Sequence, residues 1–252
     1  MGCQIEVRFT PAEFQTLRQR DLSNATCVVF DVLRATSSFV TALNNGAAEI
    51  FPVEEIADAL KLREQHPCAL LAGERNGMRI GAALTGGVEF DLGNSPREYT
   101  VARVGGKSII STTTNGTRAV RACAGAKEIL AACFLNLSVT VEFIARARPA
   151  RLVIVCAGTH ERTALEDALA AGALCEQIVE LLPTSELCDS GQIALRLYRE
   201  AGKNLAAAFR GSENARRLLT IPDLQADVDY CLQRDVCSIV VGMGKDAALR
   251  KM

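Results

Sequence analysis

Two loops in this sequence concentrate side chains able to bind and cleave an anionic ester. Asp31-Val32-Leu33-Arg34-Ala35-Thr36-Ser37-Ser38 places an acid, a cation and three hydroxyls directly after the apolar run Cys27–Phe30. The second loop repeats the plan: Ser108–Ser111 leads into Thr112-Thr113-Thr114-Asn115-Gly116-Thr117-Arg118. An acid at the end of a strand can coordinate Mg²⁺ or attack phosphorus. Arg34 can hold a phosphate bidentately. Thr36, Ser37 and the Thr112–Thr117 hydroxyls, with backbone N–H groups freed by Gly116, can form a phosphate nest. Each feature also has a purely structural reading, because Asp caps turns and Ser or Thr caps helices. The chain has neither a G-x-x-x-x-G-K-[ST] loop nor a G-x-G-x-x-G fingerprint, which argues against nucleoside triphosphates and dinucleotides.

Weaker signals lie elsewhere. Gly73-Glu74-Arg75-Asn76-Gly77 ends an apolar run with an acid beside a base, and Asn94-Ser95-Pro96 reads as a turn or helix cap. Glu166 and Asp167 sit together at the start of a helical segment, where adjacent side chains point about 100° apart. Cys156 and Arg162 have the spacing of cysteine-dependent phosphatases. With ten Cys in the chain that spacing carries little weight. His66 and His160 form no cluster; His160 reads as a solvated loop residue that could assist proton transfer.

The elements that must position these loops alternate. Apolar runs at Gln4–Phe9, Thr26–Asp31, Glu49–Val53, Cys68–Ala72, Lys107–Ser111, Glu128–Ala132, Arg151–Cys156 and Val236–Val241 are separated by segments with helical spacing. This pattern predicts an α/β fold, three-layer α/β/α with a mainly parallel or mixed sheet. One domain over 1–252 is expected, with about 187–252 mostly helical and packed on the sheet. Ala164 to Leu182 predicts one long helix stopped at Pro183. Gly73 to Pro96 is too long and Gly-rich for an idle connection. Ligands of such sheets sit at the carboxyl ends of the strands.

Charge and composition narrow the partners. A net charge of −1 with interspersed signs, no Trp and 5% aromatic residues gives no nucleic-acid or membrane surface. No apolar stretch approaches the ~20 residues that cross a bilayer, and no signal peptide is read at the start. The ten Cys are irregularly spaced without C-x-x-C, as expected of reduced thiols in a cytoplasmic protein. Cys27, Cys68 and Cys156 lie in apolar runs and are expected to be buried. The partner is a small anionic phosphorylated substrate; a homo-oligomer is left open.

Taken together, DVLRATSS (Asp31–Ser38), GERNG (Gly73–Gly77), FDLGNSP (Phe90–Pro96), TTTNGT (Thr112–Thr117), FLN (Phe134–Asn136), CAGT (Cys156–Thr159) and EDALAAG (Glu166–Gly172) resemble the 2-phosphosulfolactate phosphatase family. The likeness covers about two thirds of the chain and thins beyond Leu187. It implies a Mg²⁺-dependent hydrolase that converts (2R)-2-phospho-3-sulfolactate to 3-sulfolactate and phosphate for coenzyme M synthesis. On that basis Asp31, Arg34 and Glu74 are the expected catalytic residues. Asp31, Glu74, Glu166 and Asp167 are the candidate metal ligands. Thr36, Ser37, Arg75, Asn94, Ser95, Thr112, Thr113, Thr114, Asn115, Gly116, Thr117, Arg118 and Asn136 are expected to bind substrate, and Arg97 lies beside them. Alternatives are another phosphorylated 2-hydroxy acid as substrate, thiol chemistry at Cys156 and Arg162, or a non-catalytic phosphometabolite binder.

Overall fold

The apolar runs become strands wherever both of their faces can be covered. A computed structural model describes residues 2–252. Its strands are β1 (Gln4–Arg8), β2 (Ala25–Phe30), β3 (Glu49–Val53), β4 (Leu70–Arg75), β5 (Met78–Arg79), β6 (Ser108–Thr112), β7 (Glu128–Ala132), β8 (Arg151–Cys156), β9 (Glu186–Leu187), β10 (Val241–Met243) and β11 (Leu249–Lys251). They form one mixed sheet in the order β5-β4-β6-β3-β11-β10-β7-β2-β8-β1-β9. Every residue of β2 is buried, as are all of β8 after Arg151. This is the continuous burial expected of parallel strands flanked by helices on both faces. The alternation read from the sequence therefore gives the expected α/β architecture.

Two groups of parallel strands make up this sheet. One is β9, β1, β8, β2 and β7; the other is β3, β6 and β4. The β10–β11 hairpin joins them, antiparallel to β7 on one side and to β3 on the other. The sequence predicted a single last strand near Ser238–Val241. The hairpin is hard to read because Gly242, Gly244 and the charged Lys245-Asp246 turn interrupt the apolar pattern. Before it come the predicted C-terminal helices, Asp189–Ala201, Leu205–Arg210, Glu213–Leu219 and Gln225–Leu232.

The helices that follow the two hydroxyl loops lie side by side where the two strand groups join. The Ala35–Asn44 helix, which leaves β2, shares an apolar cluster with Ile50, Ala72 and Ile109 of the second strand group. The Gly116–Ala122 helix, which leaves β6, packs with Cys27, Val29, Val153 and Val155 of the first. Their first turns therefore meet. A Cβ on Gly116 would lie 2.5 Å from Ala35 Cβ and 2.6 Å from Asp31 Oδ2. Only a glycine lets the two loops approach this closely.

Details of the long connection and of the thiols differ from expectation. β4 continues through Arg75 and turns at Asn76 (φ 55°) and Gly77 (φ 81°) into β5. Leu92 then returns to pair with Ala72, so Gly73–Pro96 is largely tied to the sheet edge. The long helix runs Leu165–Leu181. Eight of the ten free Cys are buried, but Cys68 is exposed, because it lies in the turn before β4 rather than within the strand. Among the described residues no helix is long and apolar enough to cross a membrane.

The hairpin's position generates a test. Truncation after Ser238 removes the hairpin, whose β10 pairs with β7 and whose β11 pairs with β3. The truncated chain is expected to lose its single cooperative thermal transition by circular dichroism. A wild-type melting curve would show that the hairpin is dispensable.

Candidate active site

The carboxyl ends of β2, β4, β6 and β8 converge on one narrow, mainly polar cleft. Asp31, Arg34, Glu74, Asn94, Thr114 and Asn115 all line it. They come from separate stretches of the chain, as a shared site requires and as scattered turn residues would not.

Within the first loop, most hydroxyls hold the loop itself. Thr36 Oγ1 accepts the Asp31 N–H at 3.0 Å and donates to the Asp31 carbonyl at 3.0 Å. Ser37 Oγ donates to the Val32 carbonyl at 2.8 Å, and Ser38 Oγ to the Asn94 carbonyl at 2.9 Å. These bonds present the Asp31 carboxylate to the cleft. Its Oδ1 accepts the Ala35 N–H at 3.1 Å, while Oδ2 accepts no hydrogen bond from the described residues.

The second loop divides the same way. Thr113 and Thr117 bond reciprocally: Thr117 N–H donates to Thr113 Oγ1 at 3.1 Å, and Thr113 N–H to Thr117 Oγ1 at 3.2 Å. Both are buried, and the pair locks the loop to the first turn of the helix. Thr112 Oγ1 donates to the Glu54 carbonyl at 2.9 Å and accepts from Arg75 at 3.0 Å. Thr112, Thr113, Thr117 and Arg75 thus lie outside the cleft lining. Arg118 also lies outside, paired with Glu161 at the surface at 3.4 Å. Asn115 does face the cleft, and its carboxamide oxygen is buried without a partner; so is that of Asn94.

Two of the carboxylates expected to hold metal clamp loops. Glu74 Oε1 accepts the Thr114 N–H and hydroxyl, both at 2.8 Å, and Oε2 accepts the Gly77 N–H at 2.7 Å. Asp167 Oδ1 accepts the Val32 N–H at 2.8 Å and Oδ2 the Gly158 N–H at 3.1 Å. Asp167 thereby fastens the loops after β2 and β8 to the Leu165–Leu181 helix. Glu166 is different. Its Oε1 accepts from Asn214 Nδ2 at 2.6 Å, but Oε2 is buried without a partner. Among the described residues no three His, Cys, Asp or Glu side chains are grouped to hold a metal by themselves.

Arg34 is fully buried and anchored at both ends. One Nη donates to Asp227 Oδ2 at 2.7 Å and the other to the Gly77 carbonyl at 2.7 Å. Asp227 Oδ1 also accepts from Ser95 Oγ and Arg97 Nε, each at 2.7 Å. Ser95 and Arg97 therefore position Arg34's counter-ion. Asn136 lies away from the cleft. Its oxygen accepts the Cys133 N–H at 3.0 Å and its Nδ2 donates to the Ile239 carbonyl at 3.2 Å, tying the end of β7 to the segment before β10.

Asn214, Arg217 and Leu218 also line the cleft and were not singled out in the sequence. Asn76, Gly77 and Thr159, from the GERNG and CAGT stretches, line it as well, together with His160. Asn214 donates to both Thr159 Oγ1 and Glu166 Oε1 at 2.6 Å. It comes from the short helix that Ser212 caps, in the region where the family likeness thins. Nothing in the local sequence pattern sends that helix to the cleft.

Buried carboxylates crowd this site. Burial pushes the Asp31 carboxyl up to about 7; the Ala35 N–H opposes this, the Glu74 and Glu166 carboxylates add to it, and Arg34 lowers it. Burial also raises Glu166, against the Asn214 hydrogen bond. It raises Asp167 further, with Glu166 and Asp31 contributing. Cys156 is buried in β8, and burial followed by the Asp167 charge holds its thiol well above the usual range. Arg162 points outward to Glu213 at 2.8 Å. A reactive thiolate needs exposure and a lowered pKa, so this arrangement gives no support to thiol chemistry.

The raised Asp31 carboxyl has a definite sign. Its folded pKa near 7 exceeds the unfolded value of about 3.9. The folded state therefore binds the extra proton, and stability falls as pH rises between those values. With divalent cations chelated, Asp31→Asn is expected to raise Tm relative to wild type by roughly 5 °C at pH 8. The difference should shrink toward pH 4. An equal difference at both pH values would contradict the assignment.

Comparison with known proteins shows the family. The family model described as 2-phosphosulpholactate phosphatase matches residues 12–245. A protein of Caldanaerobacter subterraneus subsp. tengcongensis named probable 2-phosphosulfolactate phosphatase is 39% identical over 90% of this chain and 91% of its own. One of the same name from Thermotoga petrophila is 40% identical over 85% of this chain and 87% of its own. A third, from Symbiobacterium thermophilum, is 36% identical over 93% and 94%. The chain belongs to the 2-phosphosulfolactate phosphatase family, whose name marks its members as phosphoric monoester hydrolases.

Proposed function

We propose that the chain hydrolyses the phosphate monoester of 2-phospho-3-sulfolactate in a Mg²⁺-dependent reaction, releasing 3-sulfolactate and phosphate. The observation that carries this reading is the placement of Asp31, with one free carboxylate oxygen, beside Arg34 and Asn115 in a single cleft. Family membership supplies the ester. On this reading the product feeds coenzyme M synthesis in the cytoplasm.

The donor set suits a hard cation. Mg²⁺ takes oxygen ligands and is commonly held by one or two carboxylates together with waters and phosphate oxygens. Asp31 Oδ2 and the unpartnered Oε2 of Glu166 fit that requirement, and binding would favour their ionised forms. Glu74 and Asp167 are less free to bind the ion, because each of their oxygens already accepts at least one hydrogen bond. When bound, the ion supplies charge neutralisation at the phosphoryl group.

The chain's own groups supply position. Arg34 cannot swing away, since Asp227 and the Gly77 carbonyl fix its guanidinium. Its remaining donors are pre-oriented for phosphate oxygens, which removes ordering cost at the moment of reaction. The carboxamides of Asn115 and Asn94 add neutral hydrogen-bonding groups that do not compete electrostatically with a dianion. Asp31 holds its reacting carboxylate still through the Ala35 N–H.

Phosphate release from 2-phospho-3-sulfolactate is the test. Turnover is expected with Mg²⁺ and background only in EDTA or in Asp31→Asn. Alkylation of exposed Cys68 and Cys188 should leave the rate unchanged, with Cys156 shielded. Full activity in EDTA would refute the metal requirement. Release only from other phosphorylated 2-hydroxy acids would refute the substrate.

A further inference from the structure

One guanidinium in the cleft forms no ion pair among the described residues. Arg217, on the Glu213–Leu219 helix, lines the cleft and is exposed. Among the described residues it forms neither a salt bridge nor a side-chain hydrogen bond. Its neighbour Arg216 bonds the Gly211 carbonyl instead. Arg34 is the opposite case, matched by buried Asp227 at 2.7 Å.

Both guanidinium groups reach the same residue. Arg34 donates to the Gly77 carbonyl at 2.7 Å, and a Cβ built on Gly77 would lie 3.8 Å from Arg217 Nη2. Like charges brought toward one another are unfavourable unless an anion joins them. No carboxylate forms an ion pair with Arg217 among the described residues. Glu74 is committed to Thr114 and Gly77. Glu166 feels the Arg217 charge, but its hydrogen bond comes from Asn214. Arg suits multi-oxygen acid groups, which its planar fork can grip at two points.

Resting on the phosphatase reading, we propose that Arg217 is the specificity-determining residue that binds the substrate's second acid group, a carboxylate or sulfonate beside the phosphorylated carbon. Arg34 then holds the phosphate, and the separation of the two guanidinium groups selects phosphate esters that carry a further oxyanion. The helix that carries Arg217 also carries Asn214, so one short element both braces Glu166 and reads the far end of the ligand.

The test compares three esters with wild type, Arg217→Ala and Arg217→Lys: 2-phospho-3-sulfolactate, 2-phospholactate, which lacks the sulfonate, and p-nitrophenyl phosphate, which has no second acid. Arg217→Ala is expected to reduce kcat/KM for the first ester relative to the third by about 10- to 100-fold, mainly through KM. Arg217→Lys should restore part of that ratio, with Tm unchanged in both variants. A matching loss on 2-phospholactate identifies the carboxylate as the group bound; a loss confined to the sulfonated ester identifies the sulfonate. Equal losses on all three esters, or none, would overturn the proposal. If wild type releases phosphate from none of them, the phosphatase reading fails, and calorimetric binding of 3-sulfolactate decides this one separately. Binding weakened by Arg217→Ala supports it, whereas equal or absent binding in both proteins overturns it.

Discussion

The ion pair between Arg34 and Asp227 holds the cleft together. The two side chains are 2% and 0% exposed and lie 2.7 Å apart. Burying such charges costs several kcal/mol per ion, and only close pairing with further hydrogen bonds offsets it. Here the further bonds are present. Asp227 also accepts from Ser95 and Arg97, and Arg34 also donates to the Gly77 carbonyl. One carboxylate on the Gln225–Leu232 helix therefore gathers the β2 loop, the β4–β5 turn and the Ser95–Arg97 segment. Removing either partner of such a pair leaves an uncompensated buried charge, typically at a cost of about 3–5 kcal/mol. The C-terminal helices are thus part of the site.

Around that fixed cation the fold has assembled more negative charge than it can comfortably hold. Asp31, Glu166 and Asp167 are all buried, and burial raises all three. Asp167 answers this with two backbone N–H donors, but Glu166 leaves one oxygen unpartnered and Asp31 has one oxygen free for the cleft. Stability alone would favour neutral side chains at such positions, and sites retained against that preference are where function is sought. A cation and a phosphate ester arriving together would satisfy the free oxygens and the guanidinium donors at once.

Much of the fold was legible in the sequence, because buried parallel strands and long helices write their burial into local pattern. The two hydroxyl loops were legible as well, and both reach the cleft. The fate of individual hydroxyls was not. Thr36, Ser37, Thr113 and Thr117 have the same chemistry whether they bond a ligand or their own backbone, and here they bond the backbone. Arg75 and Arg118 were equally ambiguous and point elsewhere. Asp227, Asn214 and Arg217 were invisible for another reason. Each lies on a short C-terminal helix whose local sequence has no distinguishing mark, and only long-range packing delivers it to the site. The β10–β11 hairpin shares that dependence on context, since its Gly-interrupted strands gain meaning only between β7 and β3.

The proposed function places a phosphate ester in the cleft where β2, β4, β6 and β8 end. A crystal structure of Asp31→Asn with 2-phospho-3-sulfolactate tests it most directly. Phosphate oxygens are expected within hydrogen-bond distance of Arg34 and the Asn115 carboxamide. Ester bound elsewhere, such as in the groove between Phe51 and Arg250, with the cleft unchanged, would contradict it.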